Sequence, residues 1–449
     1  MINISSLANI LSINSNEILE IEEVATIKEV RIIVKLKPKI SNCLYCGTNK
    51  IEFKEWKTRL IKHALFLNKE TIFVLKERRY RCLMCKKTFY EPNPFALKRS
   101  RLTHEMTYSI LEKLRDFNIT YKNVAKDLKI SDTTVINVFD RYVNQKRRKL
   151  SRVISIDECY NKDQFNKPYS AIIFDFLDNK IIDIVEDRSK YNLGNYFSKI
   201  NECERANVEY VVIDMWEPYL ELSKLYFPNA IVAIDSFHVL QNIGRALDAV
   251  RRRIMRKYKN TQYSEEYYFL KKWNYVLFND FPSYGEKIKM YRTNEWLNEH
   301  QIQKIIYGIH PDIKMASEYY LRYKRLNKIS NKEMFEEYID DFINDQSIIN
   351  IPEMVPVIQM LSNWKEWILN SFIIVEGRRL SNGPIEGFNS NFKKLLCVEN
   401  GAYSFLRFRN RLIYCYNKPN CFTPVSEIIP KRSRGKRGKY KKTIKSFEN

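Results

Sequence analysis

The chain has 449 residues, 45% of them hydrophobic and 29% charged, which is material for several folded cores, about three on length alone. Its 76 Lys and Arg against 53 Asp and Glu leave a net charge of +23 that recurs along the chain, so the implied partner is a polyanion, nucleic acid first. No apolar run reaches membrane-span length and the first residues lack a signal-peptide pattern, which argues against a membrane class and for a cytoplasmic protein; nine cysteines in so long a chain argue against a disulfide scaffold.

The cysteines that carry information come in pairs. Cys43-Leu-Tyr-Cys46 and Cys82-Leu-Met-Cys85 are two C-x-x-C knuckles, and four thiolates so arranged make a closed tetrahedral zinc site. Residues 31–36 and 71–79 read as strands before and between the knuckles, so 1–95 is expected to be a small zinc-ribbon-like module. Because the spacing exceeds that of compact fingers, chance pairs of buried cysteines and a redox dithiol remain competing readings. Lys76, Arg78, Arg79, Arg81, Lys86 and Lys87 around the knuckles suit phosphate, or else form a solvated rim.

After Pro92 and Pro94 the pattern turns helical, and 96–150 is expected to be a helix-turn-helix domain. Ile110, Leu111 and Leu114 share one face, Val124, Ala125 and Leu128 a second, and Val135, Ile136, Phe139 and Val143 a third. Thr120 and Ser131 are N-cap candidates on either side of a short turn. The last helix would present Asp132, Thr133, Thr134, Asn137 and Arg141 outward, short polar groups able to reach base edges in a major groove. A plain three-helix bundle has the same spacing; the neighbouring knuckles and the basic charge favour DNA.

Residues 151–158, Ser-Arg-Val-Ile-Ser-Ile-Asp-Glu, form an apolar strand ending on Asp157. Two strand-like stretches joined as a hairpin follow at 168–176 and 180–186, then a helical face at Leu193, Tyr196, Phe197 and Ile200. A short strand at 208–213 stops on Asp214, a helix follows, then a strand at 230–234 and a long helix through Val239, Ile243, Leu247 and Val250. That order is the order of a ribonuclease-H-like α/β domain, in which the first strand and the later parallel strand lie side by side and bring Asp157 and Asp214 together. Either Asp alone reads first as a helix cap. Glu386 follows the Gly-Pro turn of Ser381-Asn-Gly-Pro-Ile-Glu-Gly-Phe-Asn389, where a helix can begin. Together the three carboxylates suit two magnesium ions and in-line phosphoryl transfer. Asn389 and Lys393, three and seven residues beyond Glu386, share its face, where Lys393 would hold a phosphate and Asn389 would orient Glu386 or touch DNA. Arg378 and Arg379 precede them on the same approach.

Between these parts, 249–370 shows no convincing strand, only amphipathic helices dense in aromatics such as Tyr267, Tyr268, Phe269, Trp273 and Tyr275, mostly core residues by pattern. Arg251, Arg252 and Arg253 read as facing phosphate or as a solvated helix face. The tail at 421–449, rich in Lys and Arg with two glycines at 431–442, cannot form a core.

The chain resembles the ISL-three family of bacterial insertion-sequence transposases, of the Asp-Asp-Glu class, almost end to end. The resemblance rests on the two knuckles, the helix-turn-helix at 120–135, Ile156-Asp-Glu158, Asp214-Met-Trp-Glu-Pro-Tyr219, Phe227-Pro-Asn-Ala230 leading to Asp235-Ser-Phe-His238, and the segment around Glu386. It implies that Asp157, Asp214 and Glu386 bind catalytic magnesium (or manganese), and that 249–370 is an all-α insertion dividing a ribonuclease-H-like domain into 151–248 and 371–420. It also implies that His238 lies near the scissile strand, against a plain first-turn residue, and that the protein acts on double-stranded DNA, terminal inverted repeats and target, as a homodimer or larger assembly. A non-catalytic DNA-binding regulator and a junction nuclease are the alternative functions.

Overall fold

Alternation builds the N-terminal sheet. In β2 (Glu29–Leu36), Val30, Ile32, Val34 and Leu36 are buried while their neighbours face outward. The computed structural model describes residues 15–66, 68–97, 100–161, 165–259, 264–329, 331–399 and 404–421; the basic stretch 431–442 lies outside them. Contacts divide the chain into one unit of described residues 15–144 and 418–421, and another of 145–417.

In the first unit, β1 (Ile18–Ala25), β2, β3 (Ile51–Phe66), β4 (Lys69–Cys82) and β5 (Thr88–Tyr90) form a sheet in the order β1-β2-β4-β3, with β5 also on β4. β1 and β3, unlike the strands at 31–36 and 71–79, were not among the sequence expectations. The 16 residues of β3 mix Lys, Glu and Arg with aromatics, and only Ile61 and His63 are buried, so no clean alternation marks them. The β3–β4 hairpin pairs Ile51 with Cys82 at its base and Phe66 with Lys69 at its tip. Ile61, Phe73 and Leu75 from its inner face join Val30, Ile32, Val34 and Phe95 in one core.

Three helices follow: α1 (His104–Lys113), α2 (Tyr121–Asp127) and α3 (Asp132–Tyr142). Thr120 and Ser131 are their N-caps, accepting from Asn123 N at 2.9 Å and Thr134 N at 3.2 Å. Val135, Phe139 and Val143 are buried as expected, but Val138 takes the place given to Ile136, which is only half-buried. Position 138 continues the 135–139 stripe of a 3.6-residue helix, whereas 136 lies about 100° around it. The hairpin tip is tied to the turn between α2 and α3, because Lys129 Nζ donates to Asn68 O and Lys62 Nζ to Lys129 O, both at 3.1 Å.

The second unit is built on a mixed sheet of β6 (Val153–Tyr160), β7 (Tyr169–Asp175), β8 (Lys180–Val185), β9 (Tyr210–Ile213) and β10 (Ile231–Ile234), in the order β10-β9-β6-β7-β8. β6, β9 and β10 run parallel; β7 and β8 are antiparallel to their neighbours. The near-continuous burial of Val153–Asp157 and Val211–Ile213 reflects cover on both faces. Helices α4 (Lys190–Ser198), α5 (Glu202–Ala206), α6 (Glu217–Tyr226) and α7 (Ser236–Lys257) interleave with these strands.

The stretch 249–370 is helical as expected, with α8 (Glu265–Lys272), α9 (Glu299–Ile309), α10 (Pro311–Ile329), α11 (Lys332–Ile343) and α12 (Val355–Asn370), plus one two-residue strand pair, β11 (Ile288–Lys289) with β12 (Trp296–Leu297). Phe269 and Trp273 are core residues, whereas Tyr275 stays exposed. Arg251 and Arg253 do not look outward for phosphate: Arg251 donates to Leu270 O at 2.8 Å, and Arg253 to Glu353 at 2.7 Å and Asp312 at 2.6 Å. The chain then returns through a second short pair, β13 (Ile374–Val375) with β14 (Arg378–Arg379), to α13 (Gly383–Val398) and α14 (Phe405–Asn417). Arg378 and Arg379 are likewise spent inside the fold, on the carbonyls of Phe176 and Leu177 and on Asn327 and Ser371.

Ser131→Ala removes the side-chain cap of α3. It should cost about 1 kcal/mol of stability in urea unfolding, with a matching loss of affinity for any DNA that α3 reads.

Candidate active site and zinc centre

The parallel strands end in carboxylates. Ile156 pairs with Ile213 across β6 and β9, so Asp157 and Asp214, each the next residue, emerge side by side. Ile213 pairs in turn with Ile234 of β10, and Asp235 follows it. Three neighbouring strands thus deliver three aspartates to one edge of the sheet. Glu386, in the first turn of α13, comes up against them.

His238, in the first turn of α7, stands between two groups. The ligand atoms of Asp157, Asp214 and His238 lie within 4.8 Å of one another, and so do those of Asp235, His238 and Glu386. Oxygens on opposite sides of one magnesium ion stand about 4.2 Å apart, so either group is on the scale of one ion. Glu386 thus groups with Asp235, the carboxylate that sequence reasoning set aside. Asp235 begins α7 but makes no capping hydrogen bond; it is 1% exposed, its Oδ1 accepts from Asn382 N at 3.2 Å, and its Oδ2 is buried without a partner. The signal was in the sequence: 231–234 is a third apolar strand that stops on an Asp.

Two asparagines of the Glu386 segment clamp the strand ends. Asn382 Nδ2 donates to Asp214 Oδ1 at 3.1 Å and Asn389 Nδ2 to Asp157 Oδ2 at 2.8 Å. Asn389 therefore spends its amide nitrogen on Asp157. Its Oδ1 and that of Asn382 are buried without partners. His238 Nε2 lies 3.1 Å from Asp214 Oδ1, and the Glu158 amide donates to Asp157 at 2.7 Å. Glu158 itself is paired with Arg188, whose guanidinium stacks over Trp216 at 4.7 Å and Tyr169 at 4.3 Å.

Burial holds all four carboxyls above their ordinary range, and neighbouring carboxylates add repulsion at Asp157, Asp214 and Glu386. Burial and then the charges of Asp157, Glu158 and Asp235 push Asp214 up to about 9. Asp157, Asp235 and Glu386 are raised, in each case first by burial. Clustered acids that cannot all ionise alone, together with orphaned buried oxygens, are a donor set that fits hard divalent cations.

The knuckles also converge. Cys43 Sγ lies 3.7 Å from Cys85 Sγ, and Cys46 Sγ lies 3.6 Å from Cys82 Sγ. A tetrahedron of zinc–sulfur bonds about 2.3 Å long has edges of about 3.8 Å, so the four thiols fit zinc. The knuckles repeat each other. Cys43 N donates to Thr48 O and Cys82 N to Lys87 O; the residue after each knuckle, Gly47 or Lys86, has φ of 74° or 57°. Amides of Tyr45 and Cys85 donate to the sulfurs of Cys43 and Cys82 at 3.4 Å.

The family profile described as transposase, of the Asp-Asp-Glu ISL3 type, matches residues 154–412, more than half of the chain. The chain belongs to the ISL3 transposase family. Residues 91–143 match the helix-turn-helix domain of the same family, and 41–85 match the zinc-finger of transposase IS204/IS1001/IS1096/IS1165. The transposase for insertion sequence element IS1001 of Bordetella parapertussis is 22% identical over 233 residues, 50% of this chain and 55% of that protein. The chain thus matches about half the length of that relative.

In this family member the expected DNA-contacting residues divide. Thr133, Asn137 and Arg141 are exposed on α3, whereas Thr134 is half-buried with its hydroxyl 2.8 Å from Ser131 Oγ. Lys393 is exposed on α13. No helix among the described residues is long and apolar enough to cross a membrane.

In the metal-free chain, carboxyls whose folded pKa is raised give stability that is fully present below their unfolded pKa and is lost as pH rises through the folded one. Magnesium should therefore raise the melting temperature more near pH 8 than near pH 5, and Asp214→Asn should flatten that difference. For the second centre, zinc released by a thiol-reactive mercurial should titrate at about one ion per chain, and at none for Cys82→Ser.

Proposed function

We propose that this chain is a DNA transposase that binds the terminal inverted repeats of an insertion sequence and catalyses metal-dependent strand cleavage and strand transfer. The observation that carries the reading is the meeting of Asp157, Asp214, Asp235 and Glu386 around His238, at the carboxyl ends of parallel strands. The order β8-β7-β6-β9-β10, with β7 alone running against the others, supports a ribonuclease-H-like catalytic domain interrupted by the helices of 249–370.

Asp157, Asp214 and Glu386 hold magnesium or manganese, and Asp235 adds a carboxylate on the Glu386 side. Bound divalent ions supply an activated water or DNA 3′-hydroxyl and stabilise the leaving oxygen. The protein supplies position. Asn389 holds Oδ2 of Asp157 and Asn382 holds Oδ1 of Asp214, and so they fix how those two carboxylates are turned. His238, whose Nε2 lies 3.1 Å from Asp214 Oδ1, contacts the scissile strand in this reading. Lys393, exposed seven residues beyond Glu386, meets a phosphate beside the site. No covalent protein–DNA intermediate is needed. The zinc module and helix-turn-helix recognise the repeat ends, Thr133, Asn137 and Arg141 reaching base edges. Pairing two ends calls for a homodimer or larger assembly, working in the bacterial cytoplasm on nucleoid DNA.

Asp157→Asn, Asp214→Asn and Glu386→Gln should each slow cleavage of labelled repeat-end DNA in magnesium about a thousandfold, equivalent to about 4 kcal/mol, while leaving repeat binding intact. Undiminished cleavage by all three variants overturns the assignment.

A further inference from the structure

Thr134, Asn137 and Arg141 share one side of α3 and face a neighbouring element. They form one wall of a cleft of about 680 Å³ whose other wall is the outer face of the β3–β4 hairpin, at Leu60, Lys62 and Ile72. The segment 100–102 closes one end, Leu102 bridging to Lys62 along the β3 edge. A duplex whose base edges meet Asn137 must therefore pass its flanking backbone between helix and hairpin.

The cleft is chemically suited to that backbone. Its lining includes the cations Lys62, Arg101 and Arg141 and no carboxylate. Lys62 shares its ammonium with the Glu70 carboxylate and the Lys129 carbonyl, whereas Arg101 is exposed. Leu60, 58% exposed on this wall, and Ile72 offer apolar surface to deoxyribose. The strand register puts Thr58 and Trp56 on the same face as Leu60 and Lys62, so the wall continues towards the knuckles; Trp56 is exposed there, beneath the Arg78 guanidinium at 4.5 Å. The tip contacts through Asn68 and Lys129 hold this wall at a set distance from α3.

We propose that this cleft seats the sugar-phosphate backbone of one strand of duplex DNA, with α3 reading base edges, the hairpin wall offering Leu60 and Ile72 to deoxyribose, and Arg101 at the closed end holding a phosphate. The proposal rests on the DNA-binding reading above and assigns separate work to the two walls.

The test is binding of the full chain to a labelled repeat-end duplex and to an unrelated duplex of equal length, across a salt series. Arg101→Gln should weaken both by the same several-fold factor and reduce the slope of log affinity against log salt by about 0.9. Leu60→Glu, a change at an exposed position that brings a carboxylate to the wall, should weaken both further, and Asn137→Ala only the repeat. A methylphosphonate at the seated phosphate should weaken the wild type and leave Arg101→Gln unaffected. Unchanged affinity and slope in Arg101→Gln and Leu60→Glu, with repeat binding still lost in Asn137→Ala, overturns the cleft proposal and leaves the DNA-binding reading standing. Absence of duplex binding by the wild type at any salt overturns both.

Discussion

Like charges brought together at one buried sheet edge are the constraint on which the second unit turns. Asp157, Asp214 and Asp235 arrive at one sheet edge because three parallel strands end in register, and Glu386 is carried to them on α13. Burial makes the ionisation of each costly, and carboxylate neighbours add repulsion at Asp157, Asp214 and Glu386, which is why every one of them is held above its ordinary range. The fold tolerates this because amide donors from Asn382, Asn389 and Glu158 take part of the load. The same arrangement that costs stability in the empty site makes it a place for divalent ions. It also explains why the asparagines sit on the segment that brings Glu386: the contacts that orient the strand aspartates are the contacts that dock the glutamate.

The N-terminal unit meets a different problem. Its core is small, and its longest hairpin leaves one face open. Two devices compensate. Four thiols at the hairpin base fit a zinc ion, and at the tip Lys129 and Lys62 bind the hairpin to the helix-turn-helix turn. The hairpin is therefore fastened at both ends, so that knuckles and recognition helix form one unit although they lie far apart in the chain.

Local chemistry made much of this visible in advance. The C-x-x-C spacing, the caps at Thr120 and Ser131, and the apolar strands stopping on Asp157 and Asp214 are short-range signals, each written within a few residues, and the four thiols, the caps and the two aspartates lie together or in place as those signals indicate. Strand β3 was hidden because most of its length buries neither face, so residues 51–60 have no period to read. Arg251 and Arg253 read as facing phosphate or solvent because a run of cations in a sequence does not tell which acceptors the fold will bring to them.

The sequence by itself determined the order of the main strands and helices from β6 to α7, the candidate ligand types and the basic charge, since these follow from periodicity and composition. Only the tertiary structure decided that Glu386 groups with Asp235 through His238, that Asn382 and Asn389 spend their amides on aspartates, and that Thr134, Asn137 and Arg141 face a cleft. Those facts depend on the register between parallel strands and on which side of a hairpin meets a helix. Both are set by contacts between residues distant in sequence, of which a local pattern carries no trace.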